Sequence, residues 1–298
     1  MIHIATVHVD TDRWIDIQLR YLERHVDCEY RLYTCLDVAH ERHRDKFFFA
    51  RLDPPGNIPK KLDYPPNRPG WTQYLKDYLA QTIVENAAPD DLLVFLDGDA
   101  FPVADLAAPL EDMLARRPLA AIRRDENLMD PQPHPSFCAT TVRFWTEIGG
   151  TWERASWRNA EGALVADAGG RLFRILAERR IEWTPLLRSN VRNLHPLLFG
   201  IYGDLIYHHG AGFRSPFTRV DRARMRQEHY ASETPEAEPR LYEKLRTNPS
   251  WPSLREARAK ENERLSEQVF QAIQRNDDFA TELFLSPEPA RANSPSLS

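Results

Sequence analysis

The sequence predicts an α/β protein, with a mainly parallel, Rossmann-type sheet flanked by helices and a helical carboxyl-terminal extension. Three observations carry this. Residues 2–9 alternate as a strand, pass through Asp10-Thr11-Asp12 into a helix with Ile15, Leu19, Leu22 and Val26 on one face, and return as a Tyr- and Leu-rich strand over Cys28 to Leu36. A β-α-β opening of this kind implies parallel strands joined by a right-handed crossover. Leu92-Leu93-Val94-Phe95-Leu96, bounded by Pro89-Asp90-Asp91 and Pro102, is too short for a buried helix and suits a strand covered on both faces. From about residue 221 the chain turns to Arg, Glu, Lys and Gln at helical spacing, with Leu254, Leu265, Val269, Phe270 and Ile273 as its apolar stripe.

Between these segments, residues 45–70 read as a long loop. Pro54-Pro55-Gly56, Pro65-Pro66 and Arg68-Pro69-Gly70 forbid a long helix, and loops of this length often serve as lids. Thr72 then begins a helix with Leu75, Tyr78, Leu79 and Ile83 on one face. Leu106, Leu110, Met113 and Leu114 mark a short helix ending at Arg117-Pro118, and Leu119 to Ile122 is a further buried strand. The polar cluster Arg123-Arg124-Asp125-Glu126-Asn127 follows it, then a proline-rich loop through Pro135 and a strand over Ser136 to Val142. Trp152 and Trp157 stand in a polar loop, where indoles stack on sugar rings or roof a core. Asp167, ahead of Gly169-Gly170 and the helical run Leu172, Ile175 and Leu176, reads as that helix's N-cap or as a site carboxylate.

Composition narrows the function. The chain has 298 residues, 42% of them hydrophobic, and a net charge of −5, so no basic surplus points to nucleic acid. Cys28, Cys35 and Cys138 are odd in number and lack metal-type spacing, which predicts free thiols in a reducing, cytoplasmic setting. No run approaches the ~18 apolar residues of a transmembrane span, and the amino terminus has no signal-peptide pattern.

The chemistry concentrates at two places. Asp97-Gly98-Asp99 closes the buried strand at its carboxyl end, where open α/β sheets bind ligands. In an extended chain residues two apart face the same side, so both carboxylates can meet on one hard divalent cation, with Gly98 admitting a phosphate-bearing ligand to the backbone. Thr6 and His8, ending the first strand beside this edge, are candidate cofactor contacts, with Asp10 and Asp12 as contacts or caps. Arg68 and Lys61, ahead of a helix start, are candidates for phosphate. The second place is Tyr207-His208-His209-Gly210-Ala211-Gly212-Phe213-Arg214. Two histidines in sequence face opposite sides of a strand, so one of them addresses the site as a metal ligand, with Arg214 and the small residues as a phosphate-binding turn.

A β-α-β half, an Asp-x-Asp closing a strand about a hundred residues in, and a later histidine with glycine and a basic residue behind it resemble the GT-A fold glycosyltransferases, over roughly residues 2–215. The resemblance implies a GT-A-like catalytic domain over 1–220, beside the helical extension of 221–285 and a disordered tail of 286–298. It also implies a nucleoside-diphosphate-sugar donor held by Mn²⁺ or Mg²⁺. Asp97 and Asp99 would stand at the metal and ribose, His208 or His209 would complete the coordination, and the acceptor would be a hydroxyl. Asp167 is similar in position to the family's base, although Ala166 stands where the family has a second acidic residue. The extension is expected to pack on the main domain or on a second copy as a homodimer. Three other readings compete. A haloacid-dehalogenase-type phosphohydrolase would use Asp97 and Asp99, but Phe101 departs from its motif. A nucleotidyltransferase would need a glycine-rich loop after residue 9. A degenerate transferase fold would serve as a sugar-binding module without catalysis.

Overall fold

The computed structural model describes residues 1–9, 11–53, 71–126, 130–158, 164–210 and 251–287. Asp10, Lys61, Arg68, Arg214 and the tail beyond 287 lie outside them. The opening forms as its apolar alternation dictates. β1 (Ile2–His8) leads through α1 (Ile15–His25) to β2 (Tyr30–Asp37), which pairs parallel with β1 from Ile2↔Tyr30 to His8↔Leu36.

The Asp37 carboxylate then accepts the Ala39 N–H at 2.8 Å and starts a 3₁₀ segment, Val38–Lys46. β3 (Phe49–Asp53) follows, parallel to β2. A strand thus occupies the start of the stretch read as a 45–70 loop. Prolines enter only at Pro54, and before it Phe49 packs toward the core on one face of the sheet while Ala50 and Leu52, two apart, pack toward the core on the other.

α2 (Trp71–Val84) precedes β4 (Leu92–Asp97), which pairs parallel with β1. Next come β5 (Ala100–Pro102), α3 (Ala107–Arg116), β6 (Leu119–Ile122), β7 (His134–Thr141) and α4 (Val142–Ile148). β8 (Ala155–Arg158) and β9 (Leu164–Asp167) form a hairpin where a loop was expected, followed by α5 (Gly170–Glu178) and β10 (Thr184–Leu186). β11 (Gly200–Tyr202), β12 (Ile206–His208), α6 (Trp251–Arg275) and a π-helical turn, Thr281–Leu285, complete the described elements.

The main sheet runs β10-β6-β7-β4-β1-β2-β3. Four of its six pairings are parallel; β7 runs antiparallel to both β4 and β6. A parallel return needs a crossover element, and the polar, proline-rich segment after β6 supplies none among the described residues.

β4 is covered on both faces. Leu93 and Phe95 join a core with Leu75, Leu79, Trp145 and Trp152, while Val94 and Leu96 join one with Ile15, Leu22, Leu106 and Leu110. Trp152 meets Phe95 edge-on at 5.1 Å between ring centres, and both it and Trp157 are buried, so neither indole is a free sugar platform.

α6 does not stand apart. Val269, Phe270, Ile273, Phe279 and Phe284 share a third core with Trp14, Tyr21, Phe101 and Tyr207, and the Arg13 guanidinium lies 3.5 Å over the Phe270 ring. Leu265, Val269, Phe270 and Ile273 of the stripe offered above for a homodimer thus pack within the chain. Among the described residues, no helix is long and apolar enough to cross a membrane.

Candidate active site

The site begins where β4 stops. Gly98 and Asp99 form a turn, and the chain leaves the main sheet to enter β5 of a small antiparallel sheet ordered β11-β12-β5. The two carboxylates therefore converge through a turn rather than through the pleat of an extended strand. Gly98 is glycine because a Cβ there would stand 2.6 Å from the Val7 carbonyl oxygen and 2.9 Å from His8 Nδ1. The space read as an approach for a ligand is filled by the end of β1, although Gly98 still lines the cleft.

Gln18 staples this turn. Its amide donates to the carbonyls of Asp97 at 2.9 Å and Ala100 at 2.7 Å, and its oxygen accepts from Thr6 Oγ1 and His8 Nε2. Thr6 and His8 are thereby committed to the core and do not line the cleft, which corrects their reading as cofactor contacts. Burial lowers the His8 pKa to about 4, against its bond to Gln18, so the ring is neutral.

β12 delivers the histidine. It pairs antiparallel with β5 in the register His208↔Ala100, the His209 N–H donates to the Asp99 carbonyl at 3.1 Å, and the Gly210 N–H donates to Asp99 Oδ2 at 3.1 Å. His208 Nε2 then lies 3.5 Å from Asp97 Oδ2 and 3.6 Å from Asp99 Oδ1. One ligand atom from each of the three residues falls within 4.8 Å of the others. Two ligands at right angles around a small divalent cation stand roughly 3 Å apart, and the two imidazole–carboxylate separations, 3.5 and 3.6 Å, lie close to that spacing. Two carboxylate oxygens and an imidazole suit Mn²⁺ or Mg²⁺ in kind. Burial lowers the pKa of His208 in spite of both aspartates, leaving the neutral imidazole that a metal takes.

His209 faces the other way. Its ring nitrogens meet the Tyr207 hydroxyl at 2.9 Å and Ser266 Oγ at 2.7 Å, and it packs on Trp14 at 4.6 Å. With both nitrogens engaged in the third core it is no metal ligand. The alternation of the strand sends one histidine to each side, and packing of α6 chooses which.

Of the remaining walls, Arg124 belongs to the polar cluster noted after a buried strand, whereas Lys76 and His134 were not singled out. Lys76 of α2 is 2% exposed at its side chain, and its Nζ donates to Asp97 Oδ1 at 2.6 Å and to the Pro135 carbonyl. Burial alone would raise the pKa of Asp97, but Lys76, His208 and His134 outweigh it and hold the carboxyl well below its usual range. A signal existed: Lys76, Leu79, Ala80 and Ile83 share a helical face, so a lysine stands on an apolar stripe.

Arg124 is buried, donates to the Leu197 carbonyl at 2.9 Å and pairs with Glu126, which also accepts from the Tyr202 hydroxyl at 2.6 Å. The ring centre of His134 lies 5.8 Å from that of His208. Together with Asp167, Thr72 and Gln73, the residues Lys76, Arg124 and His134 close a cleft of about 270 Å³ around the carboxylates.

Asp167 ends β9 on the cleft wall, its Oδ1 accepting the Ala168 N–H at 2.8 Å. It does not cap α5, whose N-cap is Gly169 at φ 78° with no side-chain bond.

No protein-family model and no curated protein matches the chain. Among solved structures it is similar to an active-site mutant of LgtC (16% identity, 49% of this chain and 59% of that one, TM-score 0.33). It is also similar to S. aureus TarS 1–349 in complex with UDP (9%, 51% and 50%, 0.35) and to mouse xyloside xylosyltransferase 1 (10%, 49% and 69%, 0.30). The chain thus spans about half to three fifths of the first two.

Proposed function

We propose that the chain is a metal-dependent glycosyltransferase, moving a sugar from a nucleoside-diphosphate-sugar donor to an acceptor hydroxyl in the cytoplasm. The observation that carries this is the convergence of Asp97, Asp99 and His208 in a cleft at the carboxyl edge of a largely parallel sheet. Asp97, Asp99 and His208 are the proposed cation ligands. A divalent cation held there would neutralise charge gathering on a departing diphosphate. Arg68 and Arg214 are proposed as further diphosphate contacts.

The chain's own groups supply the rest. Gln18 and the β5–β12 register fix the carboxylates before a ligand arrives, so their orientation costs nothing at the moment of reaction. Asp167, on the cleft wall, is the proposed base that takes the acceptor's hydroxyl proton. Close placement of His208 to Asp99 also favours this reading over a phosphohydrolase, whose chemistry has no need of that imidazole.

Thermal denaturation with UDP, GDP, dTDP and CDP, each with and without Mn²⁺, tests the proposal. A matching nucleotide at about a hundred times its dissociation constant stabilises the fold by roughly 2.7 kcal/mol, and here should do so only with the metal. No shift with any pair, or shifts indifferent to Mn²⁺, would overturn it.

A further inference from the structure

Asp97 has two oxygens with different company. Oδ1 is held by the Lys76 ammonium at 2.6 Å, while Oδ2 lies 3.5 Å from His208 Nε2 on the side of Asp99. Lys76 cannot retreat to solvent, since its side chain is 2% exposed and its Nζ is also bound by the Pro135 carbonyl. We propose that Lys76 is the positioning residue of the cation site. It commits one oxygen of Asp97 and aims the other at Asp99 and His208, and its fixed charge keeps divalent cations weakly bound until a diphosphate joins them. This rests on the cation-site reading of the proposed function and deepens it.

The argument is one of charge. Two carboxylates facing one ammonium leave a single net negative charge among these three groups, half of what would balance a doubly charged ion. The ammonium is 2% exposed and so is screened less than a surface charge would be, and it repels an incoming dication. The same pairing serves the protein alone, because the Lys76 ammonium, 2% exposed, needs a counter-charge, which Asp97 supplies. A diphosphate brings the missing negative charge. Metal and nucleotide should therefore bind synergistically, each poorly alone.

The test is calorimetric titration of the full chain with Mn²⁺ alone and with Mn²⁺ plus UDP or whichever nucleotide stabilises the fold. It compares wild type, Lys76→Met, Lys76→Gln and Asp99→Asn. Lys76→Gln keeps N–H donors for Asp97 and Pro135, so if Lys76→Met fails to fold, the Gln variant decides. The expected result is at least roughly tenfold tighter binding of Mn²⁺ alone once the charge is gone, with a smaller enhancement by nucleotide. Unchanged or weaker binding of Mn²⁺ alone in the Lys76 variants, with Asp99→Asn still abolishing the signal that wild type gives with Mn²⁺ plus nucleotide, would overturn the role of Lys76 as a repelling charge while leaving the cation site standing. No Mn²⁺ binding in any variant, with or without nucleotide, would overturn both.

Discussion

At the scale of single residues, the aspartates divide the labour by what else they hold. Asp99 accepts the Gly210 N–H at 3.1 Å and faces His208, so Asp99→Ala would confuse loss of a ligand with an orphaned buried donor. Asp99→Asn keeps an acceptor for Gly210 and removes the charge. It should melt within a few degrees of wild type yet show no Mn²⁺-dependent nucleotide stabilisation; retained stabilisation would remove Asp99 from the cation site. Asp167 differs, since its only described bond is to the adjacent Ala168 N–H. Asp167→Asn can keep that bond while losing the ability to take a proton. With an acceptor sugar in hand, turnover should fall by roughly a hundred to ten thousand fold, with donor affinity unchanged. Near-normal turnover would shift the base elsewhere, and the neighbouring Asp125 and Glu126 are already bonded to Arg123 and Arg124.

At the scale of elements, the cleft exists because chain segments approach closely at glycines. Gly169 adopts φ 78°, and a Cβ there would sit 2.1 Å from the Pro133 carbonyl oxygen. This contact sets β9 and the start of α5 against the segment carrying His134 and Pro135, which brings Asp167 and Lys76 to one cleft. Gly169→Ala combines a left-handed backbone, costing about 1–2 kcal/mol, with a clash against backbone that cannot swing away. Urea denaturation should show a loss at least that large. Equal stability would mean that the α5 start is free to shift, and that Asp167 is held less firmly than its setting implies. The β5–β12 register does the corresponding work for His208, and the Ser266–His209 bond ties that strand to α6.

At the scale of the whole molecule, burial has taken histidines out of their usual range. Burial lowers the pKa values of His3, His8, His25, His134, His208 and His209, in each case as the leading cause. A depressed histidine is neutral when folded and gains a proton on unfolding, so stability is present above the ordinary value near 6.5 and is lost as pH falls toward the folded value. Asp77 acts in the opposite sense. Burial pushes it up to about 7, against its bonds to Trp152 N–H and Thr151 Oγ1, so its contribution is present below about 4 and lost as pH rises through 7. In metal-free buffer the melting temperature should fall steeply from pH 6.5 to 5. Asp77→Asn should raise it more at pH 8 than at pH 5. A flat profile between pH 5 and 6.5 would contradict the buried, neutral state of these rings.

What the sequence determined was local. Apolar periods of two and 3.6 residues specify which face of each segment is buried, so β1, α1, β4 and the covering of β4 on both sides were legible from residues 2–36 and 92–97. The same periodicity sends His208 and His209 to opposite sides. Tertiary structure decided what periodicity cannot encode, namely the partner across a gap of many residues. The return of β7 antiparallel follows from the segment after β6 having no crossover among the described residues. The choice of His208 over His209 follows from α6 packing on one face of β12. Lys76 and Asp97 stand 21 positions apart, and only closure of α2 over the sheet turns a lysine on an apolar stripe into the buried partner of a cleft carboxylate.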